Sequence, residues 1–443
     1  MATIPGSDVH MTFKRILYRV LLWRGVYFVS AFLLNVLFAR FYGASASSAV
    51  YYLINLYTFV LLAGSLSLES GLSFFLARGE VTEGELYTFS LIWTTALSFL
   101  SIALLWLYFL FFDTDVITGN LFWVTALTYI PGQLLITFFT AFFYARESAV
   151  LPNRVLLAVN MLLIVLLLGA VLMPSLLDRR HYLHLYFTGT LAQGIALTIL
   201  FRVKKVRKAG LTFPDRQLLK KIIRYSLVAF TANIIFFLVY RMDYWFVKRY
   251  CTAEELGNYI QVSKLGQMIL IVPGILASLI FPRTALGNND MMAVHLARMV
   301  RMAVALFLLL FIGLFLTGTW LFPFLFGHSF DKMYLPTLIL LPGILFLSVL
   351  APLSAYFAGL HRPGVNLRGA LAGFLVMLVG DIFFIPRYGM EAAAAVSSVA
   401  YFACVIYSLV QFGRTHRLRL ITLLIIKKED WRWLLRQSGN IDL

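Results

Sequence analysis

The stretch RVKKVRKAGLTFPDRQLLKKIIR, residues 202–224, holds nine Lys and Arg against one acid, Asp215. On both sides of it the chain is a succession of apolar runs of about 20 residues, each long enough to cross the hydrocarbon core of a bilayer as a helix. The spacing predicts spans over 16–40, 49–68, 86–112, 121–144, 153–173 and 182–201 before this stretch. It predicts 222–248, 256–281, 299–325, 335–359, 366–385 and 391–412 after it. The basic stretch thus divides the hydrophobic map into six spans and six. A segment this cationic lies on anionic lipid headgroups.

The composition agrees. The 443 residues are 61% hydrophobic and 13% charged, and a soluble chain carries roughly twice that charged fraction. A barrel would show alternating strands of about ten residues instead of these long runs. No polar stretch is long enough for a separate soluble domain. Cys251 and Cys404 are too few for a disulfide framework. The first run is too long for a leader's apolar region and carries Arg24, so it is expected to be a retained span.

In a soluble protein a net charge of +17 would point to nucleic acid. Here the position of the charges explains it. One side of the membrane collects Lys14, Arg15, Arg19, Arg78, Arg146, Arg154, the 202–224 cluster, Arg283, Arg298, Arg301, Arg362, Arg368 and the tail. The other side holds Arg40, Arg179, Arg180, Lys248, Arg249, Lys332 and Arg387, with Asp113, Asp115, Asp178, Glu254 and Glu255. Cytoplasmic loops carry the excess of Lys and Arg, so both termini are expected in the cytoplasm. No nucleic-acid partner is required. The expected organisation is all-α, with a six-helix lobe over 1–201, a basic linker over 202–221, a second six-helix lobe over 222–412 and a basic tail over 413–443. The tail mixes basic residues with Trp431 and Trp433 and reads as an interfacial helix; docking to a partner protein is the alternative.

The two halves echo each other. With FARFYGASASSAVYY (38–52) laid over FVKRYCTAEELGNYI (246–260), Phe38 meets Phe246, Arg40 meets Lys248, Tyr42 meets Tyr250, Ala49 meets Gly257 and Tyr51 meets Tyr259. The match falls at the first hairpin of each half. Six spans return the chain to its starting side, so the repeats are parallel, with a cavity expected between the two lobes.

Few charges fall well inside the spans, away from their ends: Arg24, Arg241, Lys264, Asp243 and Asp381. Each costs about 2.5–3.5 kcal/mol on insertion scales, so each should face protein or water. Arg24 shares a helix face with Phe28, Ala31 and Asn35. Arg241 and Asp243, two residues apart, point to different sides, so Asp243 needs a partner on another helix. Gln261 and Lys264 form a further polar patch. Two readings stay open for the cations. Long side chains near span ends snorkel to the surface. Alternatively they line a cationic cavity for a phosphate or pyrophosphate, which Arg and Lys bind through charge-assisted hydrogen bonds. Pro131, Pro273, Pro282, Pro323, Pro336, Pro342 and Pro352 lie in or at the ends of spans, as hinges or as kinks that membrane helices tolerate.

No GxxxxGK[ST] loop, HExxH or Cys/His zinc spacing is present. His181 and His184 are expected in a loop without enough neighbours for a metal. Glu254 and Glu255 read as a solvated turn or helix start.

The stretch 240–285, YRMDYWFVKRYCTAEELGNYIQVSKLGQMILIVPGILASLIFPRTA, resembles lipid-linked oligosaccharide flippases. These form the polysaccharide biosynthesis protein branch of the multidrug/oligosaccharidyl-lipid/polysaccharide exporter superfamily. The matching residues are Arg241 and Asp243, then Glu254, Gly257 and Tyr259, then Phe281, Pro282 and Arg283. FARFYG (38–43) and LESGLSFFLAR (68–78) resemble the family's opening, whereas ASSA at 46–49 replaces its usual glutamate and glycine. The resemblance implies a non-enzymatic flippase for an undecaprenyl-pyrophosphate-linked oligosaccharide in the bacterial cytoplasmic membrane. It implies alternating access, no cofactor, and coupling to a proton or sodium ion. Arg24, Arg241 and Lys264 would bind the substrate, while Asn35, Asp243, Gln261 and Asp381 would be cavity or coupling residues. Partners would be the lipid-linked substrate, membrane lipids and other polysaccharide-assembly proteins. The alternatives are a cation-coupled multidrug exporter of the same superfamily, which would favour acids in its cavity, and a membrane glycan polymerase or ligase, disfavoured by the short outer loops.

Overall fold

The computed structural model describes residues 6–112, 120–146, 148, 150–172, 179–206, 212–271, 273–274, 277, 280, 284, 289–360 and 362–416. All regular structure among them is helical. Hydrocarbon offers no partner to a backbone N–H or C=O, and a helix satisfies these groups internally. The elements are α1 (Gly6–Ser65), α2 (Leu68–Ala77), α3 (Glu83–Phe112), α4 (Asn120–Ala145), α5 (Val150–Leu172), α6 (Arg179–Phe201) and a π-turn (Arg202–Val206). There follow α7 (Arg216–Arg241), α8 (Asp243–Tyr250), α9 (Ala253–Ile269), α10 (Asn289–Phe326), a 3₁₀ segment (His328–Met333), α11 (Tyr334–Gly359) and α12 (Pro363–His416).

Among the described residues, nine helices are long and apolar enough to cross a membrane. Their outer surfaces suit lipid: Phe99, Phe111, Leu172 and Leu316 are 72–78% exposed, an arrangement water would penalise. Two of the nine far exceed the length of one crossing, at 44 residues (Leu22–Ser65) and 53 (Gly364–His416). Each contains a glycine in a conformation no helix uses, Gly43 at φ 75°, ψ 171° and Gly389 at φ 66°, ψ −146°. Both φ values lie in the region that glycine enters without strain. The expected gaps at 41–48 and 386–390 contain these breaks. In α12 the chain folds back on itself at Gly389. A Cβ on Gly373 would lie 2.1 Å from Cys404 Sγ and 2.9 Å from the Ala400 carbonyl, so the two legs pack backbone to backbone. The expected span 256–281 begins with α9, which has 17 residues; much of its remainder lies outside the described residues.

The chain divides into two compact units. One comprises Met1–Tyr42 with Leu53–Ile234, the other Gly43–Tyr52 with Ile235–Leu443. In the first, α4 and α6 approach through glycine. A Cβ on Gly132 would meet Leu191 N at 2.7 Å, and one on Gly194 would meet Gly132 O at the same distance. Small residues at such crossings let backbones approach closely where lipid offers no hydrophobic drive. Phe139, Phe142 and Phe143 are buried around Phe201 on the same pair. The passage from α1 to α2 is a left-handed break at Leu66 and Ser67, φ 51° and 53°, where Asn233 Nδ2 donates to Ser67 Oγ at 3.0 Å.

In the second unit, Gly257 on α9 meets the backbone of Ala44, and a Cβ there would sit 2.1 Å from Ala44 O. Ser329 ties the same corner. Its Oγ accepts from Ala44 N at 3.0 Å and its carbonyl from Asn258 Nδ2 at 2.9 Å. The turn before α9 is closed by a capping box. Thr252 Oγ1 accepts from Glu255 N at 3.2 Å, and Glu255 Oε2 accepts from Thr252 N at 2.9 Å. Thr82 and Glu85 form the same device ahead of α3. Glu254 meets Lys332 at 3.4 Å. The helix-start reading of this acidic pair is therefore what the chain adopts. His181 and His184 are a correction: they lie in the first turns of α6, not in a loop. Cys404 is sealed against Gly373, and Cys251 closes α8 in a half-buried position.

The tail beyond His416, residues 207–211 of the linker, Asp113, Asp115, Asp178 and the 281–283 motif lie outside the described residues.

Two expected outcomes follow from these packings. Gly257→Ala forces Ala44 to move and should destabilise by about 1–3 kcal/mol. Gly313→Ala meets open space and should be neutral or stabilising by up to about 1 kcal/mol; thermal unfolding in detergent compares them. Second, the backbone N–H of Thr252 holds the Glu255 carboxyl below its ordinary range. Its contribution is present above the unfolded value near 4.3 and is lost as pH falls through the lowered folded value. Glu255→Gln should flatten this part of the stability–pH curve.

Candidate functional site

The second unit concentrates polar side chains in an apolar interior. Asp243 opens α8 and is fully buried. Its Oδ1 accepts from the Tyr244 backbone N–H at 2.9 Å, and its Oδ2 accepts from Ser397 Oγ at 3.0 Å and from Tyr259 Oη. Ser397 and Tyr259 hydroxyls are 3.1 Å apart. Tyr259 comes from α9 and Ser397 from the second leg of α12, so the partners required by Asp243 lie on other helices. Asp381, on the first leg of α12, is also fully buried, and neither carboxyl oxygen has a hydrogen-bond partner among the described residues. Its charge and that of Asp243 act on one another. Gln261 is fully buried with neither amide atom hydrogen-bonded among the described residues.

Arg241 ends α7 beside a cavity of about 510 Å³. Phe236, Phe237, Tyr240, Leu270, Leu347 and Leu350 give it apolar walls, and Arg241, Gln267 and Ser354 supply the polar atoms. Arg241 Nη2 donates to Gln267 Oε1 at 2.9 Å, and its guanidinium lies 5.8 Å from the Tyr244 ring. The Gln267 contact fixes the guanidinium and leaves other donors of its fork for a ligand. Lys264 is close enough for its charge and that of Arg241 to repel, and its Nζ sits 3.2 Å from the centre of the Tyr51 ring, a cation–π contact.

Arg241, Lys264, Asp243, Gln261 and Asp381 thus belong to one unit; Arg24 and Asn35 belong to the other. Arg24 is half-buried, 5.7 Å from Phe28 and 5.9 Å from Tyr144. Phe28 is the neighbour expected one turn along; Tyr144 comes from α4. Asn35 is half-buried on the same helix. A polar chain outside the expected residues links three helices of this unit. Gln193 Nε2 donates to Asn160 Oδ1 at 3.0 Å, and Asn160 Nδ2 donates to Ser30 Oγ at 3.1 Å. Tyr259, expected only as part of the motif over 240–285, and Ser397 also stand outside the expected site residues. The available signal was an amide in the middle of each of the runs 153–173 and 182–201.

Tyr259→Phe removes one donor from a fully buried carboxylate. It should destabilise by about 1–3 kcal/mol. A double-mutant cycle with Asp243→Asn, read by thermal unfolding, should give a coupling energy of at least about 0.5 kcal/mol; additive effects would contradict the bond.

The chain matches no family model and no curated protein sequence. It does match solved structures over almost its whole length. Lipid II flippase MurJ in an inward closed conformation has a TM-score of 0.66 at 15% identity, covering 97% of this chain and 93% of that one. An inward-facing multidrug resistance MATE family transporter of the MOP superfamily has a TM-score of 0.68 at 15% identity, covering 89% and 96%. A MOP superfamily transporter from Pyrococcus furiosus, described as having a binding pocket of reverse polarity that suggests a different function, has 0.63 at 14%, covering 93% and 96%. The helices of this chain therefore adopt the fold shared by MurJ and the MATE transporters.

Proposed function

We propose that this chain is a flippase that carries an undecaprenyl-pyrophosphate-linked oligosaccharide from the inner to the outer leaflet of the bacterial cytoplasmic membrane, for a surface polysaccharide such as O-antigen. It works by alternating access of two six-helix lobes with both termini cytoplasmic, and it makes or breaks no covalent bond. The twelve-crossing plan is supported by the fold-back of α12 and by the break at Gly43. It also counts as one crossing the segment that α9 begins.

The observation that carries the reading is Arg241, a guanidinium at the edge of a largely apolar cavity with the charge of Lys264 nearby. That combination suits a pyrophosphate, which needs charge-assisted donors in a site of low dielectric. Arg24, among aromatic rings in the other unit, is assigned to the same substrate. Asp243 and Asp381 are the coupling residues. Two buried acids acting on each other need a compensating positive charge, and a proton or a sodium ion supplies it; the Ser397 and Tyr259 hydroxyls are oxygen ligands suited to a hard cation.

These same acids favour the second reading, a cation-coupled multidrug exporter, because acids attract cationic drugs. In purified protein reconstituted in vesicles, we expect translocation of a fluorescent polyprenyl-pyrophosphate sugar. Arg241→Ala should slow it about tenfold or more, the scale of one lost charge-assisted contact, and Arg241→Lys should retain part of it. Asp243→Asn or Asp381→Asn should abolish the response to an imposed sodium or proton gradient. Wild-type rates after Arg24, Arg241 and Lys264 are each replaced by Ala, together with efflux of cationic dyes, would establish the exporter instead.

A further inference from the structure

A second cationic cavity lies in the first unit; Arg24 is not part of its lining, although Tyr144, the ring beside Arg24, hydrogen-bonds Asn153 next to the cavity's Arg154. It is open, has a volume of about 430 Å³, and is lined by Ser148, Val150, Leu151, Arg154, Lys204 and Lys205. Two elements build it. Ser148 and the first turns of α5 supply one wall, and the π-turn that continues α6 supplies both lysines. π-turns are rare and concentrate at functional positions. Among the described residues no carboxylate lines the cavity. Glu83, at the start of α3, is already engaged by Arg146 at 2.7 Å. Arg154 is oriented by stacking, its guanidinium 4.3 Å from the centre of the Trp23 ring. A tryptophan with one apolar and one wet side is typical of headgroup depth.

The surface leading to this cavity identifies the source of its ligand. On α5 Met161, Leu162, Val165 and Leu168 are among the exposed positions after Arg154, at the i+7, i+8, i+11 and i+14 spacing of one broad helix face; Val171 and Leu172 extend the exposed apolar surface to the helix end. On α6, Ile195 and Ile199 are exposed and lead through the exposed Val203 to Lys204. Two outward apolar stripes therefore run to one basic mouth, a shape that takes acyl chains along the stripes and a phosphate between the cations. Basic pockets between membrane helices bind anionic lipid headgroups in this way.

We propose that this cavity is a binding site for the phosphodiester of an anionic phospholipid, distinct from the Arg241 cavity. The probe is phosphatidylglycerol, titrated against full-length protein in detergent and read by native mass spectrometry, with phosphatidylcholine as the neutral reference. Wild type should retain phosphatidylglycerol in preference to phosphatidylcholine. Arg154→Gln with Lys204→Gln and Lys205→Gln should weaken phosphatidylglycerol binding by roughly two orders of magnitude, the scale for three cations near anionic lipid, with phosphatidylcholine unaffected. Lys204→Gln with Lys205→Gln, which leaves the Arg154–Trp23 stack intact, should produce an intermediate loss and covers a triple variant that fails to fold. Three outcomes would overturn the proposal: undiminished phosphatidylglycerol binding by the variants, displacement of phosphatidylglycerol by an equal concentration of inorganic phosphate, or displacement by a polyprenyl pyrophosphate at equal concentration. The second would make the cavity a free-anion site, and the third would make it part of the transport route.

Discussion

Hydrocarbon supplies no hydrogen-bond partner, and that constraint governs both the backbone and the few polar side chains of this protein. It makes every described element a helix. It sets where helices touch, because without a hydrophobic drive between helices the gain comes from close packing. Hence Gly132 lies on Gly194, Gly257 on Ala44, and Gly373 on Cys404. It also explains why Asp243 is surrounded by donors from three elements: a buried carboxylate without them costs several kcal/mol. Asp381 and Gln261, fully buried without a hydrogen-bond partner among the described residues, are two of the points where this rule is not met by the chain itself; Asn55 is another.

The sequence shows the crossings because periodicity does not matter there; length and apolarity suffice. The breaks at Gly43 and Gly389 fall between expected spans because a polar turn interrupts the run in each case. The start of α9 was readable from Thr252 and Glu255, whose spacing is that of a capping box. The error at His181 and His184 has a physical origin. Arg179, Arg180, His181 and His184 make the first turns of α6 polar, and hydropathy reads polarity as loop. Of the candidate site, the charged residues are legible because charge in a span is rare. Tyr259, Ser397, Asn160 and Gln193 are not, because uncharged polar residues are common in spans and their importance depends on which helix packs opposite.

The polar groups of the second unit are sorted by kind. Acids and hydroxyls gather around Asp243, sealed from the exterior, whereas Arg241 borders an open apolar cavity. The acidic cluster and the guanidinium at the cavity edge are thus neighbouring parts of one unit. Arg241, two residues from Asp243, acts on the charges of Asp243 and Lys264. Any group that neutralises Arg241 therefore changes the field at Asp243.

The two thiols have a practical consequence. Cys404 is enclosed between the legs of α12, out of reach of a reagent. Cys251 is pushed up to about 11 by burial, with the charges of Glu255 and Glu391 adding to it, so roughly one molecule in ten thousand carries a thiolate there at neutral pH. Maleimide chemistry at neutral pH therefore meets a nearly silent background. A cysteine introduced at an exposed position accepts a fluorophore or spin label selectively in the otherwise native chain, and distance measurements on the working protein require no cysteine-free version.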